Sequence, residues 1–306
     1  MLTDAQKMLL EQIADMTCMP EGAVNIRVNG EKYARQVTEN VNIETKEDVP
    51  GIDIRVKPGT KGEMVHIPVV VTDSGRMDTV YNDFFIGEDA DVTIVAGCGI
   101  HNCGNEDSEH DGIHRFFVGK NAHVKYVEKH YGDGDGNGKR ILNPTTEVYQ
   151  EENSSVEMEM VQIKGVDSTI RTNLAKLDKG AKLVIRERLM THGEQSATSD
   201  YVVELNGDGS SADVVSRSVA KENSVQIFNS KIVGNAPCTG HTECDAIIMD
   251  KARVLAVPQL DAADVDASLI HEAAIGKIAG EQIIKLMTLG LTEEEAEEEI
   301  VNGFLK

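Results

Sequence analysis

Apolar residues recur at helical spacing only near the two ends of the chain. Thr3 and Gln6 have the spacing of a capping box, and Met8, Leu9, Ile13 and Met16 follow at roughly helical intervals until Met19-Pro20-Glu21-Gly22 breaks the pattern. This predicts a short amphipathic helix over 4–17. From there the period changes to two. Val24, Ile26 and Val28 alternate with polar residues and stop at Asn29-Gly30, a pair suited to a tight turn. Between about residues 50 and 260 short alternating segments follow one another without an extended helical stretch, so this region is predicted to be all β.

Within it a weak motif recurs: a turn, a small residue, then alternating apolar positions. It reads GEDADVTIVAG (87–97), VGKNAHVKYVEK (118–129), ENSSVEMEMVQI (152–163), KGAKLVIRERL (179–189) and DGSSADVVSRSVA (208–220). Aligned on Ala90, Ala122, Ser154, Ala181 and Ala212, the intervals are 32, 32, 27 and 31 residues. Such a period marks stacked units, each burying its apolar face only against its neighbours. Since the units are strands and turns, a parallel β-helix fits better than an ankyrin-like or leucine-rich array, with an evenly stranded sandwich as the alternative.

After Asp266 the spacing of Ala273, Ile275, Ile278, Ile283, Ile284, Leu286 and Met287 reads as helical, with Gly290 at a helix stop. Thr292 and Glu295 form a second capping box, and the acidic run from Glu293 to Glu299 suits the start of a helix. The predicted organisation is therefore an N-terminal helix within 1–22, a β core over 23–265 and a helical segment over 266–306.

Charge narrows the function. Fifty-two acidic against 30 basic residues leave a formal charge of −22, which disfavours nucleic acid and anionic membranes. There is no apolar run of membrane-spanning length, and the first residues lack the basic start and unbroken apolar stretch of a signal peptide, so a cytoplasmic protein is expected. The five cysteines are odd in number and scattered, a poor fit to a disulfide framework. Aromatic content is 4% with no Trp, so the core must come mainly from Val, Ile, Leu, Met and Ala.

Several motifs weigh against common enzyme classes. GDGDGNG (132–138) has the acidic spacing of a calcium loop, yet the twelfth position is Pro144, and a turn is the simpler reading. The residue four beyond His271 is Ile275, which excludes a zincin pair. No phosphate loop, dinucleotide fingerprint or nucleophile elbow occurs, so nucleotide chemistry must come from a partner. Soft ligands gather in two places. One is CGIHNCGNEDSEHDGIH, with Cys98, Cys103, His101, His110 and His114; the other is APCTGHTECDAIIMD, with Cys238, His241 and Cys244. Thiolate and imidazole suit iron, zinc or copper, and a run of polar residues on a solenoid turn is the competing account.

The segment 244–304 carries a denser signal. Cys244-Asp245, Pro258, Leu260, His271-Glu272-Ala273, Lys277-Ile278, Glu281-Gln282, Gly290, Ala296 and Gly303-Phe304 occur in the order and spacing of the signature end of SufB/SufD proteins, and the chain resembles that family over about 60 residues. The resemblance implies a right-handed parallel β-helix core with a short N-terminal helix and a C-terminal helical segment. It further implies a cytoplasmic scaffold for iron–sulfur cluster assembly, itself not an enzyme, working as a homodimer with a SufC-like ABC ATPase docked on the C-terminal helices. On this view Cys244, His271 and Glu272 hold a transient iron–sulfur cluster near the dimer interface, and acceptor apo-proteins receive it. Two other classes remain: a metal-binding interaction protein without ATPase coupling, and a β-helix enzyme, which leaves the signature tail unexplained.

Overall fold

A recurring turn builds the core. In the computed structural model, which describes residues 1–306, Ala90, Ala122, Ser154, Ala181 and Ser210 each donate their backbone N–H to the carbonyl three residues back. Each follows a residue with positive φ: Asp89, Asn121, Asn153, Gly180 and Gly209. Gly, Asn and Asp take this conformation at least cost, and the small residue after them is buried in every case. The fifth equivalent is thus Ser210, 29 residues after Ala181, and not Ala212, which lies inside the following strand.

Helix α1 (Asp4–Ala14) opens the chain, shorter than predicted because Asp15 adopts the left-handed conformation, and the Thr3/Gln6 capping box forms as expected. Strands β1 (Ala23–Val28) and β2 (Glu31–Gln36) make an antiparallel hairpin around Asn29-Gly30, and β3 (Val41–Thr45) pairs antiparallel with β4 (Gly51–Val56). The solenoid continues through β5 (Glu63–Val71), β6 (Met77–Ile86), β7 (Asp91–His101), β8 (Ser108–Val118), β9 (His123–Asp133), β10 (Arg140–Leu142) and β11 (Thr145–Gln150). Then come β12 (Ser155–Lys164), β13 (Ser168–Leu177), β14 (Lys182–Thr191), β15 (Ser196–Leu205), β16 (Ser211–Ala220) and β17 (Val225–Gly234). It ends with β18 (Thr239–Ile248), β19 (Arg253–Ala262) and β20 (Ser268–Gly276), before helices α2 (Gly280–Thr288) and α3 (Glu293–Phe304).

Two ten-stranded sheets result. One runs β2-β1-β5-β7-β9-β12-β14-β16-β18-β20; the other runs from β19 through odd and then even strands to β3, with β11 between β8 and β13. Apart from the two antiparallel pairs every pairing is parallel, so the fold is the expected parallel β-helix, with about eight turns. The alternation along each strand sends every second side chain inward, where 37 buried residues form one core. Each fully buried Val, Leu, Ile or Phe contributes about 1.5–3 kcal/mol. Phe84 and Phe116 stack there at 4.3 Å.

Helix α1 lies on the outer face of the first sheet, burying Leu9, Leu10 and Ile13. Gly97 and Gly99 make room for it: a Cβ on Gly97 would sit 2.5 Å from the Ile13 carbonyl oxygen.

One boundary differs from the sequence reading. Residues 268–276 form β20, and helix begins only at Gly280. Leu269 and His271 take the inward phase of a strand that pairs with β18 along its length, and this pairing overrides the helical spacing of Ala273 and Ile275. The Thr292/Glu295 capping box forms as predicted. The solenoid finishes on an open end: Leu255, Val257 and Leu260 of β19 and Ile270 and Ile275 of β20 are all exposed. No helix is long and apolar enough to cross a membrane.

Candidate functional site

Strand register decides which of the predicted residues meet. In the first sheet Glu128, Met160, Glu187, Ser216, Cys244 and Ala273 occupy one inward column, and Tyr126, Met158, Ile185, Val214, Thr242 and His271 the next. Cys244 and His271 therefore face the interior from adjacent strands, one step diagonal to each other. Cys244 lies in the middle of β18, where small inward neighbours Gly240, Thr242 and Ala246 leave the thiol buried. Burial first, then the negative charge of Glu187 and Asp245, pushes this thiol up to about 12. His271 is half-buried, and its Nδ1 is enclosed without a hydrogen-bond partner.

Glu272 projects from the opposite face. Its carboxylate lies 3.4 Å from His241 Nε2 on the outside of β18. In a single copy the last two strands of this sheet thus present Cys244 and His271 inside and Glu272 outside, beside the open edge of β20. The other expected trio does not form: Cys238 is buried in the turn before β18, and His241 faces out.

The first soft-ligand cluster separates in the same way. Cys98 points inward from β7 beside His130, its register partner on β9, and close to the charge of His110, while His114 lies 2.7 Å from the Tyr126 hydroxyl. Cys103 stays outside: its Sγ is 3.0 Å from His101 Nε2, and His101 Nδ1 is 3.1 Å from Asp133. The glycine loop 132–138 stacks on this turn. A Cβ on Gly134 or Gly136 would fall 2.3 Å from the carbonyl oxygen of Asn102 or Gly104, so the glycines are there for close backbone approach.

Inside, Cys98 belongs to a row of ionisable groups that the sequence reading missed. Arg27 grips Asp78 at 2.8 and 3.0 Å, and His110 Nδ1 lies 3.2 Å from Asp78. Burial works against a charge on His110, but Cys98 and Asp78 outweigh it and raise the imidazole to about 10. Burial likewise opposes ionisation of Cys98, and the imidazoliums of His110 and His130 reverse this, bringing the thiol down to about 7. His130 is held at about 9 against its burial by Glu128 and Cys98. Arg171, fully enclosed, hydrogen-bonds Glu128 and lies 3.6 Å from Glu187. Glu187 in turn accepts from Ser199 at 2.7 Å, Tyr201 at 3.0 Å and Ser216 at 2.6 Å. The next residue in that column is Cys244.

A sequence signal for this row existed. In HVKYVEKHYG the inward phase runs Val124, Tyr126, Glu128, His130, so an acid sits where the alternation calls for an apolar side chain. Buried charges of this kind persist only when paired.

A surface cavity of about 860 Å³ lies elsewhere, beside the stacked Phe85, Phe117 and Tyr149 on the outer face of the second sheet. At the C-terminus α2 buries nothing and leaves Ile284 and Met287 exposed, while α3 buries Ala296 and Val301.

Residues 70–304 match the family described as SUF system FeS cluster assembly, SufBD core domain. An iron-sulfur cluster assembly SufBD family protein of Archaeoglobus fulgidus is 30% identical over 262 residues, covering 85% of this chain and 69% of that one. Another from Methanocaldococcus jannaschii is 30% identical over 277 residues, with 88% and 86% covered. A Pyrococcus horikoshii protein of the same description reaches 44% identity over 104 residues, 33% of this chain and 23% of its own. With the β-helix, its inward cysteines and the open last turn, these matches lead to one assignment: the chain belongs to the SufBD family of iron–sulfur cluster assembly proteins.

Proposed function

We propose that the chain is a scaffold on which a nascent iron–sulfur cluster is built at Cys244 and His271, with Glu272 joining from the edge of the same strand. The observation that carries this reading is the pairing, on the last two strands of one sheet, of an inward thiol with an imidazole whose enclosed Nδ1 has no partner. Iron accepts thiolate and imidazole, and carboxylate adds an exchangeable ligand, so a cluster held this way can be released to an acceptor protein. Because the Cys244 thiol is raised to about 12, iron must displace its proton, and loading releases one proton per thiolate bound. Without iron the thiol stays protonated and resists oxidation.

The open end supports a homodimer. β19 and β20 present unpaired backbone edges and exposed apolar side chains, which a second copy would cover, bringing two sets of Cys244 and His271 to one seam. The exposed apolar face of α2 is the surface assigned to a SufC-like ABC ATPase, which would supply the ATP hydrolysis that this sequence has no motif for.

Anaerobic reconstitution of folded variants tests the site. Cys244→Ser should lose nearly all iron and sulfide, because a hydroxyl is a hard, poorly deprotonated donor, whereas His271→Ala should lose part and Cys18→Ser none. Full cluster content in folded Cys244→Ser would put the site elsewhere. Deleting 281–306 should abolish ATPase copurification, and a monomer by light scattering would remove the dimer.

A further inference from the structure

Outside β18 and β20 the alternation gathers a second set of ligands. Glu243 and Glu272 are directly opposed in register and both project outward, with His241 on the same face of β18. One ligand atom from each of the three lies within 4.8 Å of the others. Two carboxylates opposed across parallel strands repel each other. Neither has a Lys or Arg nitrogen within 4 Å, although Arg186 and Arg217 line the adjoining groove of about 520 Å³. Arg186 is taken by Asp213 at 2.5 Å.

Asp213 also fixes the histidine. Its Oδ1 lies 2.8 Å from His241 Nδ1, which turns Nε2 towards Glu272, 3.4 Å away; the two carboxylates favour the protonated ring, so an ion bound at Nε2 displaces its proton. A carboxylate behind the ring, with the other nitrogen free to bind, is the arrangement that orients metal-ligating histidines. Two carboxylates and one imidazole suit a divalent first-row ion with open positions for water.

We propose that His241, Glu243 and Glu272 hold a ferrous ion on the outer face of the last turn, with Asp213 as the positioning residue behind His241. Glu272 is the shared member: it faces the ion outside, and its strand neighbour His271 faces the interior. The ion site stands on its own geometry. That the ion is iron destined for the cluster rests on the scaffold reading above.

The test is anaerobic titration of the full chain, purified free of cluster, with Fe(II), followed by equilibrium dialysis and metal analysis. Co(II) serves as the spectroscopic probe. The expected result is one ion per chain with a nitrogen and oxygen ligand field. His241→Ala and Glu243→Gln should weaken binding at least ~10-fold, and Asp213→Asn should weaken it ~10–100-fold without changing the Co(II) spectrum of the loaded protein. Cys244→Ser should keep the ion whatever it does to the cluster, which separates failure of this site from failure of the scaffold reading. Unchanged affinity in both His241→Ala and Glu243→Gln would overturn the proposal. So would a thiolate-to-Co(II) band that disappears in Cys244→Ser, since the ion would then sit inside.

Discussion

Cys98 and Cys244 occupy equivalent geometry and opposite chemistry. Both are buried and both point inward from strands of the same sheet. Cys98 has two imidazoles beside it, backed by Asp78 and Glu128, and its thiol falls to about 7. Cys244 has Glu187 and Asp245 nearby, and its thiol rises to about 12. Depth alone raises any thiol, so the sign of the neighbouring charge is what separates a resident thiolate from a protected thiol. One lesson is that a cysteine's place in a solenoid says little about its reactivity until the two neighbouring turns are known.

The largest expected effect comes from breaking the link between the two regions. Arg171→Met leaves Glu128 and Glu187 buried without their cation and should cost about 3–5 kcal/mol in denaturant unfolding. Retention of full stability would mean that water reaches those acids.

The contrast itself is next. Thiolate absorbance should rise with a midpoint near 7, vanish in Cys98→Ser, and move to or above about 8.5 in His110→Gln. Stability follows with a worked sign. His110, raised to about 10, contributes stabilisation that is complete below its ordinary value of about 6.5 and fades as pH climbs through 10. Cys98, lowered, contributes stabilisation that is present at alkaline pH and lost as pH falls through 7. Their joint contribution is therefore greatest below about 6.5, level between about 7 and 8.5, where the gain from Cys98 offsets the loss from His110, and falls again towards 10; Cys98→Ser should remove that level stretch of the stability–pH profile.

At the other thiol, Glu187→Gln removes a negative charge and should bring Cys244 down, read as faster alkylation of the folded protein near neutral pH. An unchanged rate would leave burial and Asp245 as the causes. The smallest effect is expected from Thr292→Ala, which removes an N-cap and should cost about 1 kcal/mol in local helix stability, seen by hydrogen exchange in α3, while neither thiol shifts.

Much of this architecture was legible in the sequence because alternation and turn chemistry recur. Asn29-Gly30, both capping boxes and the small residues after Asp89, Asn121 and Asn153 all act locally. The last turn was misread because Ala273 and Ile275 fit a helix as well as a strand, and only pairing with β18 decides. That one step also decides the site. Recognised as a strand, His271-Glu272 must point to opposite faces, whereas a helix leaves them on neighbouring sides. The buried ionic row was hidden for a different reason: Glu128, Arg171 and Glu187 lie far apart in sequence and become partners only when turns stack.

The near-constant offset between paired strands, 32 residues from Cys98 to His130 and 29 from Cys244 to Ala273, means that each turn packs only on the turns directly before and after it. During synthesis the turns beneath α1 become available first and the last turn only at the end. Cys244 emerges before His271, and the turn that brings His271 beside it is the last part of the solenoid to be laid down. A nascent or truncated chain lacking β20 carries the thiol without its imidazole. On the proposed site, the ability to hold iron is thereby postponed until synthesis of the last turn is complete.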